Sequence, residues 1–249
     1  MKVRVIPTIL TNGTNVVKGT QFNNWRTVGN AEAIARLFAK RDVDELLLID
    51  VYARTRAEHI SEDLIAHFSN ILNIPFSVGG GIDSIEVARR CFRLGAEKIV
   101  LGTSAIENPQ LISEVANIFG SQAVIVALDF DSVSNFNLRT HSGTKVVEVD
   151  LPALITQLQQ LGAGEFLVQS CERDGTLTGM DTRKIEIVAE LSEIPIIASG
   201  GFAKIQDAAD AVRAGATAIA IGAAFQFTEL TPRILSEGLA NDGFMTRRI

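Results

Sequence analysis

Short apolar runs along the chain alternate with longer stretches in which apolar residues recur every three or four positions. The short runs, at 3–9, 45–50, 76–78, 98–101, 123–129, 165–169, 196–198 and 218–221, are too apolar for a wet face. They predict buried parallel strands. The longer stretches, at 30–40, 61–72, 84–94, 110–119, 151–161, 181–192, 205–214 and 231–241, predict helices. Several open on a capping Asn, Ser, Asp or Thr and close near Gly. Eight such α/β units in 249 residues predict a closed (β/α)8 TIM barrel, with an open doubly wound sheet as the alternative. No Pro/Ser-rich linker divides the chain, so residues 1–249 read as one domain. Two long segments remain, 11–29 and 130–150, both after strand C-termini, where such barrels carry their sites. The first is rich in Asn, Gly and Thr and carries Lys18, which predicts either a mobile lid or a solvated spacer.

The pattern recurs at a spacing of 120 residues. Ile74-Pro75 is answered by Ile194-Pro195, Gly80-Gly81 by Gly200-Gly201, Gly95-Ala96 by Gly215-Ala216, and Gly102 by Gly222. Two duplicated half-barrels follow, about 1–120 and 121–249. A glycine pair between an apolar strand and a helix exposes backbone N–H groups at a positive helix end, which suits a phosphate. Two such places predict two phosphates; the alternative is that the glycines only serve tight turns.

Composition narrows the classes. With 47% hydrophobic and 21% charged residues the chain is long enough for a large core. A net charge of −6 argues against nucleic acid or an anionic membrane as partner, so an anionic substrate needs local Lys or N–H groups. Cys91 and Cys171 lack CxxC spacing, and His59, His67 and His141 form no ligand cluster, so neither metal nor disulfide is expected. The N-terminal residues lack the apolar run of a signal peptide, and a cytoplasmic protein without a cofactor is expected.

Strand ends carry the candidate chemistry. Asp129 ends the fifth strand, Asp50 the second, and Asp174 follows the sixth; each is read either as an acid/base group or as a helix cap. The position matching Asp129 in the first half holds no acid. At the opposite end, Arg4, Glu45, Lys98 and Glu165 begin strands one, two, four and six. They are either surface charges or an interlocked ring, because burying such groups unpaired is costly.

The whole chain resembles the HisF family, the cyclase subunit of imidazole glycerol phosphate synthase in histidine biosynthesis. The residues that carry this are Val-Val-Lys-Gly-Thr at 16–20, Asp-Glu-Leu at 44–46, Val-Gly-Gly-Gly-Ile at 78–82, Glu-Asn-Pro at 107–109, Phe-Gly-Ser-Gln-Ala-Val at 119–124, Gly-Ala-Gly-Glu at 162–165, Arg-Asp-Gly-Thr at 173–176 and Ile-Ala-Ser-Gly-Gly at 197–201. The resemblance implies a phosphorylated substrate, held by Gly80, Gly81, Gly102, Thr103, Asp174, Gly175, Ser199, Gly200, Gly201, Gly222 and Ala223. It implies a glutaminase partner at the N-terminal barrel face and ammonia entering through a gate of Arg4, Glu45, Lys98 and Glu165. It also makes Asp129 and Lys18 catalytic, and Asp50 joins them as a candidate from its strand-end position alone.

Two positions depart from that family. Its second catalytic Asp ends the first strand in a Pro-Cys-Leu-Asp run, where this chain has Pro7-Thr8-Ile9-Leu10. A leucine cannot transfer a proton, and losing one of two acid/base groups costs roughly 10² to 10⁴ in rate. Gly102 stands where the family has Asn. A paralogue that delivers glutamine-derived ammonia elsewhere is therefore expected. It resembles the branch associated with acetamidino modification of surface-polysaccharide sugars, which implies a third, sugar-modifying partner. The alternatives are an authentic cyclase in which Asp50, Lys18 or water compensates for Leu10, and a non-catalytic ammonia conduit that activates a glutaminase.

Overall fold

The computed structural model describes residues 2–41, 43–132 and 135–246. In chain order it contains β1 (Arg4–Thr11), β2 (Asn15–Thr20), β3 (Asn23–Asn30), α1 (Ala31–Ala39), β4 (Leu46–Asp50), α2 (Glu62–Ile71), β5 (Phe76–Gly79), α3 (Ile85–Arg93), β6 (Lys98–Leu101), α4 (Thr103–Glu107) and α5 (Gln110–Phe119). Then follow β7 (Val124–Phe130), β8 (Leu138–Thr140), β9 (Lys145–Val147), α6 (Leu151–Gln160), β10 (Glu165–Ser170), α7 (Thr182–Leu191), β11 (Ile196–Ser199), α8 (Ile205–Arg213), β12 (Ala218–Ile221), α9 (Ala224–Phe227) and α10 (Pro232–Asn241).

Eight of these strands pair in parallel in the order β10, β11, β12, β1, β4, β5, β6, β7, and β10 pairs with β7 to close the ring. Closure sorts the side chains by parity, since successive residues of a strand face opposite sides. Ile6, Leu47, Val100, Ile125, Leu167, Ile197, Ala218 and Ala220 fill the barrel interior. Their neighbours Val5, Leu46, Leu48, Ile99, Leu101, Val124, Val126, Phe166 and Val168 point outward into the larger core beneath the helices. Both faces are thus dry, which is why the strands read as continuous apolar runs.

The helices begin where the sequence placed them because the capping side chains make their bonds. Asn30, Ser61, Ser84, Asp150, Asp181 and Thr231 accept from the backbone N–H of Ala33, Leu64, Val87, Ala153, Lys184 and Ile234. Such a cap contributes about 1 kcal/mol.

Three features differ from expectation. Residues 11–29 are largely strand: β2 pairs antiparallel with β1 and β3. Val16 and Val17 are buried, so this hairpin is anchored to the barrel. The second long segment also forms a hairpin, β8–β9, joined to β7 through Phe130 and Leu138; residues 133 and 134 of that segment lie outside the described residues. Finally, short helices α4 and α9 follow Gly102 and Gly222, repeating the 120-residue spacing.

The duplicated glycine turns also repeat in space. An added Cβ would lie 2.6 Å from the Asp50 carbonyl at Gly80, and 2.9 Å from the Ser170 carbonyl at Gly200. At Gly81 and Gly201, with φ of +68° and +87°, it would lie 2.0 and 2.3 Å from the carbonyls of Glu58 and Gly179. Both glycine pairs therefore serve the turns themselves, whatever else they bind. Gly81→Ala should cost about 3 kcal/mol or more, from left-handed strain plus a backbone clash. Gly243 has φ of +88° but open space around it; Gly243→Ala should cost only the strain, about 1 kcal/mol. Urea unfolding of the two variants checks this, and equal losses would refute the clash.

Candidate active site at the barrel mouth and a charged ring at its base

At the N-terminal end of the strands, the inward parity brings four charges together. Arg4 Nη1 donates to Glu45 Oε2 at 3.0 Å and to Glu165 Oε1 at 3.2 Å, and its Nη2 pairs with Glu165 Oε2. Lys98 Nζ donates to Glu45 Oε2 at 3.0 Å and to Glu165 Oε1 at 2.6 Å. Ser77 Oγ donates to the remaining Glu45 oxygen at 2.6 Å. Each carboxylate touches both cations, so the ring is neutral and closed. Burial alone would raise the Glu165 pKa, but Arg4 and Lys98 outweigh it and hold the carboxyl below its ordinary range. Arg4 is held above its ordinary value because Glu165 and Glu45 outweigh its own desolvation.

At the other end, the barrel mouth holds two adjoining cavities that share Leu10 and Gln169 as a common wall. The first, of about 120 Å³, is bordered by Gly80, Gly81, Gly102, Thr103 and Asp129. The second is bordered by Lys18, Asp174, Gly175, Ser199, Gly200, Gly201, Gly222 and Ala223. Every residue expected to hold phosphate therefore lies on one of the two walls. Phe22 and Trp25, from the β2–β3 hairpin, and Ser142, from the tip of the β8–β9 hairpin, line the first cavity as well. Gly143 leaves room for Phe22, whose Cβ would be 3.0 Å from an added Cβ there, so the two hairpins meet above the mouth.

Three ionisable side chains at this mouth have shifted affinities for protons. Burial, and then the charge of Asp174, pushes Asp129 up to about 7. Burial raises Asp174 to about 6, opposed by the Lys18 ammonium and by the N–H of Gly175. Burial lowers Lys18 to about 8, opposed by Asp174. A carboxyl near 7 is suited to give and take a proton at neutral pH. Leu10 shares the inward parity of β1 with Arg4, Ile6 and Thr8, so the first half presents an apolar wall to Asp129.

Asp50 and Lys18, the other two groups expected to be catalytic, border different cavities of the mouth. Asp50 has the outward parity of Leu46 and Leu48, and its side chain is wholly buried. Its oxygens accept from the N–H groups of Tyr52 and Ala53 and from Arg56 Nη2 at 2.9 Å, which closes the turn after β4. Asp50 nevertheless borders the first cavity, as Asp129 does. Lys18 is buried in the second cavity, where Nζ donates to the Thr8 carbonyl at 3.2 Å. Among the described residues no group of three His, Cys, Asp or Glu is gathered tightly enough for a metal ion, and no helix is long and apolar enough to cross a membrane.

A family model described as "Histidine biosynthesis protein" matches residues 4–231. The imidazole glycerol phosphate synthase subunit HisF of Thermotoga sp. (strain RQ2) is 37% identical over 98% of this chain and 97% of the relative. The chain belongs to the HisF family. Its similarity to the same subunit of Corynebacterium urealyticum is 36% over 97% of both chains, and to that of Pyrococcus furiosus 35% over 98% of both. The residues matched by the family model, 4–231, take in the ring at the base and both cavities at the mouth.

Sequence reasoning missed several residues of this HisF-family mouth. Trp25 and Phe22 were hidden in a segment expected to be irregular, and Gln169 was passed over as an ordinary strand residue. Its parity with Glu165 and Leu167 was the available signal.

The raised pKa of Asp129 has a consequence for stability. The unfolded carboxyl titrates near 4, whereas the folded one titrates at about 7. Between these values the folded state binds the extra proton, so this group lowers stability progressively as pH rises and most of all above 7. Asp129→Asn should therefore raise the melting temperature, with a larger gain at pH 8 than at pH 5. A gain independent of pH would exclude the raised value.

Proposed function

We propose that this chain is the synthase subunit of a glutamine amidotransferase, taking ammonia from a glutaminase docked at the N-terminal barrel face, and that it serves sugar amidination rather than imidazole formation. The base supports an ammonia gate. A neutral, closed ring of Arg4, Glu45, Lys98 and Glu165 excludes water and ions, while the apolar interior above it admits neutral ammonia far more readily than ammonium. Lys98 holds the ring through two contacts from a flexible stem, so its displacement is the simplest opening.

The observation that carries the choice of acceptor is Leu10. Cyclisation in the family uses a carboxylate at that position together with the acid at Asp129, and here the wall is aliphatic. Hydrogen bonds from Arg56 and two backbone N–H groups to its oxygens argue against Asp50 as the substitute. Asp174 belongs to the Arg-Asp-Gly-Thr run that the family carries in addition to its acid pair. Asp129 remains poised to move a proton, which favours chemistry at the mouth over a purely passive conduit. Identity of 37% over nearly the full length supports a second reading, an authentic histidine-pathway cyclase.

Turnover of the histidine-pathway bisphosphate with ammonium salt separates the readings. The chain should form imidazole glycerol phosphate at least about 10²-fold more slowly than a HisF with both acids, and Leu10→Asp should restore part of the rate. Rapid imidazole formation by the unaltered chain would overturn the proposal and leave the cyclase reading. For the gate, Lys98→Ala should uncouple the glutaminase, so that more glutamate is released per nitrogen incorporated; an unchanged ratio would refute the gating role.

A further inference from the structure

The first cavity has an aromatic side that the glycine turns and the acids do not account for. Phe22 and Trp25, both from the β2–β3 hairpin, line it. Tyr52, from the turn after β4, packs against Trp25 with the ring centroids 6.4 Å apart and the planes at 62°. Phe22 meets the same indole at 6.5 Å and 45°. Trp25 is thus braced by two rings, and neither lies parallel to it.

The seat of this indole is built into the backbone. An added Cβ at Gly19 would sit 2.7 Å from Cε3 of Trp25, 2.9 Å from its Cδ2 and 2.5 Å from the Asn23 carbonyl. The six-membered ring therefore rests directly on the main chain of β2, at the break in the β2–β3 register between Lys18 and Thr20. The hairpin tip that delivers it is strained: Gln21, Phe22 and Asn24, none of them glycine, have φ of +56°, +57° and +52°. Such conformations persist only where the surroundings over-determine them, and they gather at ligand clamps. Here the tip is tied to the loop after β10, where the Gln21 N–H donates to the Asp174 carbonyl at 2.8 Å and Gln21 Nε2 to the Glu172 carbonyl at 2.9 Å. A large apolar ring held in this way over a cavity is matched to an apolar surface on the ligand.

The rest of the lining says what that surface belongs to. Leu10, Ile49 and Val100 are aliphatic, whereas Ser142, Gln169 and Asp129 offer polar groups. Thr103 Oγ1 accepts from the His141 N–H at 2.8 Å and keeps its own O–H to donate. One aromatic face among hydroxyl, amide and carboxyl groups suits a pyranose, which has an apolar C–H face and a rim of hydroxyls. A planar base would gain most from a slot between parallel rings, and neither Phe22 nor Tyr52 supplies the second wall.

We propose that Trp25 is the specificity-determining residue of this mouth: the acceptor stacks the C–H face of a pyranose ring on its indole, while Thr103, Ser142 and Gln169 take the hydroxyl or acylamino groups of the ring. The inference rests on the reading that the chain serves sugar amidination, and it adds which part of the mouth recognises the sugar.

Trp25 is the only tryptophan of the chain, so its fluorescence reports the contact directly. Titrating the unaltered chain with N-acetylglucosamine 1-phosphate should give a saturable blue shift, as the sugar displaces water from the indole. Inorganic phosphate should give no such shift, and uridine monophosphate should bind more weakly than the sugar phosphate. By calorimetry, Trp25→Leu should weaken binding of the sugar phosphate about tenfold, and Trp25→Phe, which keeps a ring, about threefold or less. The fluorescence titration uses the unaltered chain, so a variant that folds poorly does not remove the test. The inference is overturned by the absence of a saturable shift with the sugar phosphate, by the same shift with phosphate alone, by uridine monophosphate binding as tightly or more tightly, or by equal losses in the two variants. Rapid imidazole formation in the bisphosphate turnover assay would remove the proposed function whatever this titration gives. Slow turnover without a sugar-induced shift would remove this inference alone.

Discussion

Closure of a parallel sheet on itself is the constraint from which the rest follows. Once eight strands form a ring, each contributes every second side chain to a common axis, and the choice of residue at each level sets what the axis is made of. Here the levels are a ring of four charges, an apolar middle of Ile, Leu, Val and Ala, and a mouth of glycines, acids and one buried lysine. Shifting any strand by one residue would exchange these groups with the aliphatic side chains under the helices. Register is therefore held by the same apolar contacts that hold the fold.

The charged ring shows how such a level is tolerated. Each of its ions would be expensive to bury alone, and the expense is removed only because every carboxylate oxygen at the base finds a donor among Arg4, Lys98 and Ser77. Such an arrangement is stable when complete and poor when any member leaves. The ring therefore has no member that could leave without uncovering a buried charge.

Much of this was legible in the sequence, for identifiable reasons. The barrel strands are short runs without a polar face, the helix starts carry capping side chains that make their bonds, and the repeated glycines mark turns where a Cβ would strike a carbonyl. The hairpins were not legible. Their tips place Gln21-Phe22 and His141-Ser142 in left-handed conformations, with φ between +54° and +57°. Those pairs lack the Asn-Gly or Asp-Gly signal that usually marks such turns, and packing over the mouth imposes the conformation instead. Asp50 ends an apolar strand before a turn, but its pairing with Arg56 was not legible, because that partner gives no periodic signal.

The duplication makes the difference between the two mouth cavities informative. Matching backbone turns at Gly80-Gly81 and Gly200-Gly201 mean that both halves keep the scaffold of an anion site. Scaffold and binding are separable, however, since the glycines are already required by the carbonyls that approach them. The side chains differ in turn: Arg54 and Ser104 donate within the protein and Thr103 accepts there with its own O–H still free, whereas among the described residues the Thr8 hydroxyl has no partner and Lys18 donates to one carbonyl. Polar groups left incomplete in a buried place mark where a ligand completes them, and completed groups mark where one is no longer needed.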